Sequence, residues 1–256
     1  MAHVIAVAGK GGVGKTTLTG LFIQRLCESG KGPLLVVDAD ANANLNEVLG
    51  VEIPVTLGEI REEIERAGSD PKVKIPVSMT KQQYLEYRME DALVEEADYD
   101  LMVMGRSQGA GCYCFVNGLV QSRIQALQDH YPYIVVDNEA GMEHISRGIL
   151  PKIDTMFLVS DCSRRGIQAA GRIAELVREQ KIDPSFMGLI VNRAPDGRLN
   201  EGTEEEIKKQ GLKLLGVVPQ DEEVYRYDCD GRPTVEMSGD SPVRQALDQI
   251  ISQLEL

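Results

Sequence analysis

The sequence predicts a doubly wound α/β fold: a mostly parallel sheet with helices on both faces. Three observations predict it. Short runs that are apolar at every position recur along the chain, as strands buried on both faces require. Segments with a single apolar stripe at helical spacing alternate with them. The first strand-like run leads through a glycine-rich stretch into a helix.

The elements follow in order. Val4-Ile5-Ala6-Val7-Ala8 reads as a buried strand. The next residues are Gly9-Lys10-Gly11-Gly12-Val13-Gly14-Lys15-Thr16-Thr17, and Gly9 to Thr16 fit the phosphate-loop pattern G-x-x-x-x-G-K-[ST]. A helix then places Leu18, Leu21, Phe22 and Leu26 on one face. This unit points backbone N–H groups and a helix N-terminus at one spot, which suits a polyphosphate. Lys15 is expected to reach the β- and γ-phosphates, and the Thr16 hydroxyl to sit on Mg2+.

A strand at 34–38 leads into Asp38-Ala39-Asp40. A carboxylate there can orient the attacking water or hold hydrated Mg2+; a simple strand-end cap is the alternative for either residue. Residues 52–97 are charge-rich and lack a strong strand, with a helix expected at 57–67 on Leu57, Ile60 and Ile64. They read as an insertion on one domain spanning 1–256. Strands are expected at 101–104 and 133–137. The second, Ile134-Val135-Val136-Asp137, has the Walker B form. Asp137 is expected to bind Mg2+ through water, and the Gly141 N–H to meet the γ-phosphate, with 137–141 as a nucleotide-sensing switch.

Further strands are expected at 155–160, 187–192 and 213–218. Helices are expected at 165–180 (Ile167, Ala170, Ala174, Val177) and 242–254 (Val243, Leu247, Ile250, Leu254). The strand at 187–192 runs into Asn192-Arg193-Ala194-Pro195. A guanine-reading Asn-Lys-x-Asp motif would need Asp where Pro195 stands. Asn192 is instead expected to pair its amide with the adenine edge, with Arg193 beside it and the turn at Pro219 as the other wall. ATP is the expected nucleotide.

Composition sets the limits. The 256 residues suffice for one large domain with a substantial core. A net charge of −13 disfavours nucleic acid and anionic membranes as partners, since both demand basic surface. No apolar stretch approaches the ~20 residues that span a bilayer. The first strand begins almost at Met1, so no N-terminal signal is expected. Five cysteines read as thiols rather than a disulfide framework, and a cytoplasmic location is expected.

Residues 109–114 read Gly-Ala-Gly-Cys-Tyr-Cys. In an extended segment Cys112 and Cys114 face the same way. A closed soft-metal site wants four ligands, so two chains meeting on an axis would complete one. Small buried residues or a redox couple fit the spacing as well. Phe115 to Val120 are expected to start a helix. Cys27 is assigned to the core, Cys162 to a strand end, Cys229 to an acidic loop, and Glu204-Glu205-Glu206 to a solvated helix start.

The run Lys10-Gly-Gly-Val-Gly-Lys15-Thr16 resembles the deviant Walker A loop of the MinD and ParA partition ATPases, the nitrogenase iron protein and the ArsA pump ATPase, in the SIMIBI class of P-loop NTPases. The resemblance implies an ATP-controlled homodimer in which Lys10 reaches the partner's nucleotide. It also implies that Asp40 positions water while Asp38 supports Mg2+, making Lys10, Lys15 and Asp40 the catalytic set.

The loop, the cysteine run and Asp137-Asn-Glu-Ala-Gly-Met-Glu-His-Ile-Ser-Arg-Gly148 together resemble the CooC-type ATPases, a group with AcsF as a close relative. Glu143, His144 and Arg147 carry part of that match. It covers essentially the whole chain, although 70–98 show no alignable pattern. It implies that Cys112 and Cys114 bind Ni2+ between two subunits, for carbon monoxide dehydrogenase and/or acetyl-CoA synthase. Thiolates also take Zn2+ well. A MinD/ParA-like positioning ATPase is the competing function, and would need a basic amphipathic helix or basic patch. An iron–sulfur carrier ATPase would want a C-x-x-C near the C-terminus.

Overall fold

The computed structural model describes residues 2–67, 75–106, 114–140 and 152–254, without the side chains of Cys114 and Phe115. Within them an eight-stranded sheet runs in the order β3-β4-β2-β5-β1-β6-β7-β8. Its strands are β1 (His3–Gly9), β2 (Leu34–Ala39), β3 (Leu93–Glu95), β4 (Tyr99–Val103), β5 (Tyr133–Asn138), β6 (Thr155–Asp161), β7 (Phe186–Ala194) and β8 (Leu214–Pro219). Every neighbouring pair is parallel except β3–β4. The fold is the expected doubly wound α/β architecture.

Helices fill the crossovers: α1 (Lys15–Glu28), α2 (Leu45–Leu49), α3 (Leu57–Arg66), α4 (Lys81–Asp91), α5 (Cys114–Leu127), α6 (Arg164–Glu179), α7 (Glu201–Lys209), α8 (Glu222–Cys229) and α9 (Pro242–Ile251). The period-2 geometry of the strands decides which helix each residue meets. Ile5 and Val7 of β1 join Leu18, Phe22, Leu247 and Ile250 under α1 and α9. Ala6 and Ala8 face the other way, against Ile167, Ala170 and Ala174 of α6. Two alanines there let α6 lie close to the sheet. Leu35 and Val37 of β2 share that second face with Leu57 and Ile60 of α3 and Val120 and Ile124 of α5. Burying each such side chain contributes roughly 1.5–3 kcal/mol.

Three expectations need correction. Residues 52–97 do contain a strand: β3 is three residues long and half-buried, paired antiparallel at the sheet edge, too short to show a periodicity. Glu206 is no solvated helix residue. It is buried in α7 and accepts from Arg164 Nε at 2.8 Å and Gln210 Nε2 at 2.8 Å. Those bonds, with one from Gln168, hold its carboxyl below the usual range. Cys229 closes α8 rather than lying in a loop. Among the described residues, no helix is long and apolar enough to cross a membrane.

Candidate nucleotide site

The site forms where the strands end, at the carboxyl edge of the sheet. β1 delivers Gly9 against β6 so closely that a Cβ there would lie 2.2 Å from the Val159 carbonyl oxygen. Only glycine allows that approach. Gly14 sits at φ 87° and caps α1 without any side-chain bond. The first-turn N–H groups of α1 are therefore open to an anion.

Lys15 is buried, and its Nζ donates to the Lys10 carbonyl at 3.4 Å. Burial pulls its pKa below the ordinary value, while Asp137, Asp40 and Glu139 oppose that pull. The ammonium thus feels the attraction of three carboxylates. Lys10 itself is exposed at the mouth of the loop. The Thr16 hydroxyl bonds to Asp137, and Thr19 Oγ1 donates to Asp137 Oδ1 at 3.1 Å. Burial pushes the Asp137 carboxyl up to about 6, against the pull of Thr16 and Lys15. A hydroxyl and a carboxylate beside the loop are hard oxygen donors, a set that suits Mg2+.

Asp38 and Asp137 are register partners on β2 and β5, and neither reaches solvent. Burial, then Asp137, pushes Asp38 up to about 7. Its Oδ1 accepts from the Asp40 N–H at 2.9 Å, and its Oδ2 from the Leu45 N–H at 3.0 Å. Asp38 therefore anchors the turn that carries Asp40 and the start of α2. Asp40 Oδ1 accepts from the Asn42 N–H at 2.8 Å. Its carboxylate lines the same cavity as Lys15, Thr16 and Glu139, with a volume of about 550 Å3.

The base end is built by β7. Asn192 is buried, and its Nδ2 donates to the Val13 carbonyl at 2.9 Å. Arg193, at φ 56°, donates from Nη1 to the Gly12 carbonyl at 3.0 Å. Asn192 was expected to offer its amide to a base; one of its donors already holds the loop. Asn192, Arg193 and Pro219 line a second cavity of about 830 Å3. Gly14, Thr17, Arg193 and Asp228 line both cavities, so the two adjoin as one cleft. Each volume falls within the usual range for small-molecule sites.

The structure thus gathers Gly11, Gly12, Gly14, Lys15, Thr16, Thr17, Asp40, Asn192, Arg193 and Pro219 around one cleft. Cys112 and Gly141 lie outside the described residues, as do Glu143, His144 and Arg147. Cys114 is described only as the first residue of α5. Among the described residues, no group of three or more His, Cys, Asp or Glu is placed to hold a metal ion.

Sequence reasoning missed three contributors. Thr19 lies four residues past Lys15, one turn along the same helix face, so its spacing was a usable signal. Glu139 stood in the switch segment without an assigned role. Asp228 arrives from a distant helix, and no local pattern marks it.

Residues 4–235 match the family described as the CobQ/CobB/MinD/ParA nucleotide-binding domain. An uncharacterized ATP-binding protein of Methanocaldococcus jannaschii is 38% identical over 251 residues, covering 98% of each chain. The carbon monoxide dehydrogenase accessory protein CooC of Rhodospirillum rubrum is 28% identical over 257 residues, covering 91% of this chain and 90% of that one. The septum site-determining protein MinD of Bacillus subtilis is 25% identical, over 90% of this chain and 80% of its own. In fold, the cell division ATPase MinD of Pyrococcus furiosus superimposes with a TM-score of 0.71 at 22% identity, covering 100% of this chain and 99% of that one.

Proposed function

Because the chain belongs to the CobQ/CobB/MinD/ParA nucleotide-binding family and is an ATP-binding P-loop ATPase, we propose that it uses ATP to deliver nickel. The client would be carbon monoxide dehydrogenase and/or acetyl-CoA synthase. The observation that carries this reading is the Cys112-Tyr113-Cys114 run, in a chain 28% identical to the accessory protein CooC along most of its length. Cys114 opens α5, and a helix N-terminus favours the thiolate over the thiol. Two such pairs on a two-fold axis supply four soft donors for one nickel ion, the cargo.

The chemistry follows from the cleft. ATP and water give ADP and phosphate, with no covalent intermediate. Lys15 and the loop N–H groups bind the β- and γ-phosphates. Thr16 and Asp137 would hold Mg2+, which when bound would supply positive charge beside the transferred phosphoryl group. Asp40 orients the attacking water, and Asp38 keeps the Asp40 turn in place. Lys10, exposed beside the loop, meets the partner's nucleotide. Asn192, Arg193 and Pro219 receive the base.

A MinD-like positioning role draws support from the Bacillus relative. Against it, Val243, Leu247 and Ile250 of α9 are buried in the core, so that helix has no spare apolar face for a lipid surface. Sedimentation of the apo protein, and of samples with ATP or Ni2+, tests the delivery reading. Each ligand should favour the dimer, because what binds only the dimer stabilises it. A monomer under every condition would contradict both the shared metal site and the role of Lys10.

A further inference from the structure

We propose that Glu139 makes tight binding of ATP, but not of ADP, conditional on a second chain: its carboxylate opposes the γ-phosphate until Lys10 of the partner subunit neutralises it. This rests on the reading of the chain as an ATPase that works as a dimer. The end of β5 fixes the position of Glu139. Asn138, the residue before it, is buried, and its Nδ2 donates to the Val7 carbonyl at 2.9 Å, tying β5 to β1. Ala140, the residue after it, meets the phosphate loop: a Cβ on Gly11 would lie 3.5 Å from the Ala140 Cβ. Between these two anchors Glu139 is half-buried and lines the phosphate cavity with Lys15, Thr16 and Asp40.

The charges of that cavity do not suit a polyanion. Its cations among the described residues are Lys15, Arg193 and Arg232. Asp40, Glu47, Glu139 and Asp228 line it as carboxylates. Two of the cations are already engaged: Arg193 donates to the Gly12 carbonyl, and the Arg232 guanidinium stacks on the Tyr227 ring, 4.0 Å from its centroid. Lys15 is shared among Asp137, Asp40 and Glu139. An ionised carboxylate only accepts hydrogen bonds, so Glu139 has none to give a phosphate oxygen. Of the three phosphates of ATP, the terminal one belongs nearest the 137–141 segment. Its charge therefore meets Glu139 most directly, and ADP lacks it.

The chain carries a cation that its own site does not use. Lys10 is exposed at the mouth of the loop. Among the described residues its ammonium makes no hydrogen bond or ion pair, with Glu139 of its own chain or with any other group, although its carbonyl accepts from Lys15 Nζ. Two chains meeting loop to loop would bring each Lys10 to the other chain's phosphate cavity. There the ammonium lies between two anions, Glu139 and the γ-phosphate, and turns their repulsion into two attractions. ADP gains little from the same event. Glu139 thus couples the third phosphate to the second chain: the dimer favours ATP and ATP favours the dimer, by equal factors.

The test is titration calorimetry with ADP and with the non-hydrolysable analogue AMP-PNP, each with Mg2+, on the full chain. Four proteins are compared: wild type, Lys10→Ala, the isosteric Glu139→Gln, and the double variant. Lys10→Ala should weaken AMP-PNP about tenfold, the order expected for one charge in a partly buried site, and leave ADP nearly unchanged. Adding Glu139→Gln should restore most of that loss, because the repulsion that Lys10 offsets is gone. Unchanged ADP affinity in every variant shows that each is folded, which a merely structural role for Glu139 would not give. If Lys10→Ala costs as much with Glu139→Gln as without it, or if Glu139→Gln shifts ADP and AMP-PNP equally, the role of Glu139 alone is overturned. Failure of wild type to bind either nucleotide overturns the ATPase reading beneath it.

Discussion

Asn192 Nδ2 donates to the Val13 carbonyl at 2.9 Å, across 179 positions of sequence. The strand that ends at the base cavity is thereby tied to the loop that surrounds the phosphates. Asn192→Ala should leave a buried carbonyl unpaired, at a cost of about 1–3 kcal/mol. A lower melting temperature and weaker nucleotide binding should appear together. Loss of affinity without loss of stability would mean that Asn192 serves only the base.

Gly14→Ala should damage the same junction from the other side. A Cβ there would lie 2.5 Å from Asn192 Nδ2, on backbone at φ 87°. The left-handed conformation alone costs about 1–2 kcal/mol for a non-glycine residue. Nucleotide affinity should fall sharply while far-ultraviolet circular dichroism is unchanged. Gly239→Ala, with nothing within 4 Å of its added Cβ, is the matched control. Equal affinities in the two variants would contradict this account of the loop.

Lys15→Ala and Asp40→Asn should separate binding from hydrolysis. Removing the Lys15 charge should weaken ATP binding and abolish turnover. Asp40→Asn should leave ATP affinity nearly intact and slow turnover by orders of magnitude, because it removes only the orientation of water. Should affinity and turnover fall together in Asp40→Asn, Asp40 is instead holding Mg2+.

The buried carboxyl pair should give stability a recognisable pH dependence. Asp38 at about 7 and Asp137 at about 6 both lie above the ordinary 3.8. The folded protein keeps protons that the unfolded chain has lost, so their contribution is largest at low pH. It falls as pH rises from about 4 to about 7. Burial lowers the pKa of His3, which acts in the opposite sense, so a variant is needed to isolate the pair. Thermal melts without nucleotide or Mg2+ should decline from pH 5 to 7, less steeply in Asp38→Asn. The same slope in both proteins would contradict the assignment.

Much of this was legible in sequence because the signals are local. The phosphate loop, the apolar runs and the stripes of α1 and α6 each lie within a short window, and the structure follows them closely. What escaped depends on distant packing. β3 exists only because β4 offers it an edge. Glu206 is buried because Arg164, Gln168 and Gln210 converge on it. The two backbone N–H groups held by Asp38 become visible only once the turn after β2 is folded. Asp228 reaches the cleft from a helix that carries no nucleotide motif.

The most direct measurement is nickel bound per dimer, with the ATP-bound protein assayed beside the Cys112→Ser and Cys114→Ser variants. The delivery account predicts one Ni2+ per dimer in wild type, with thiolate-to-nickel charge-transfer absorption in the near ultraviolet. Both signals should vanish in either variant while ATP binding persists. A wild-type dimer that takes up no stoichiometric nickel, or variants that keep it, would contradict the account.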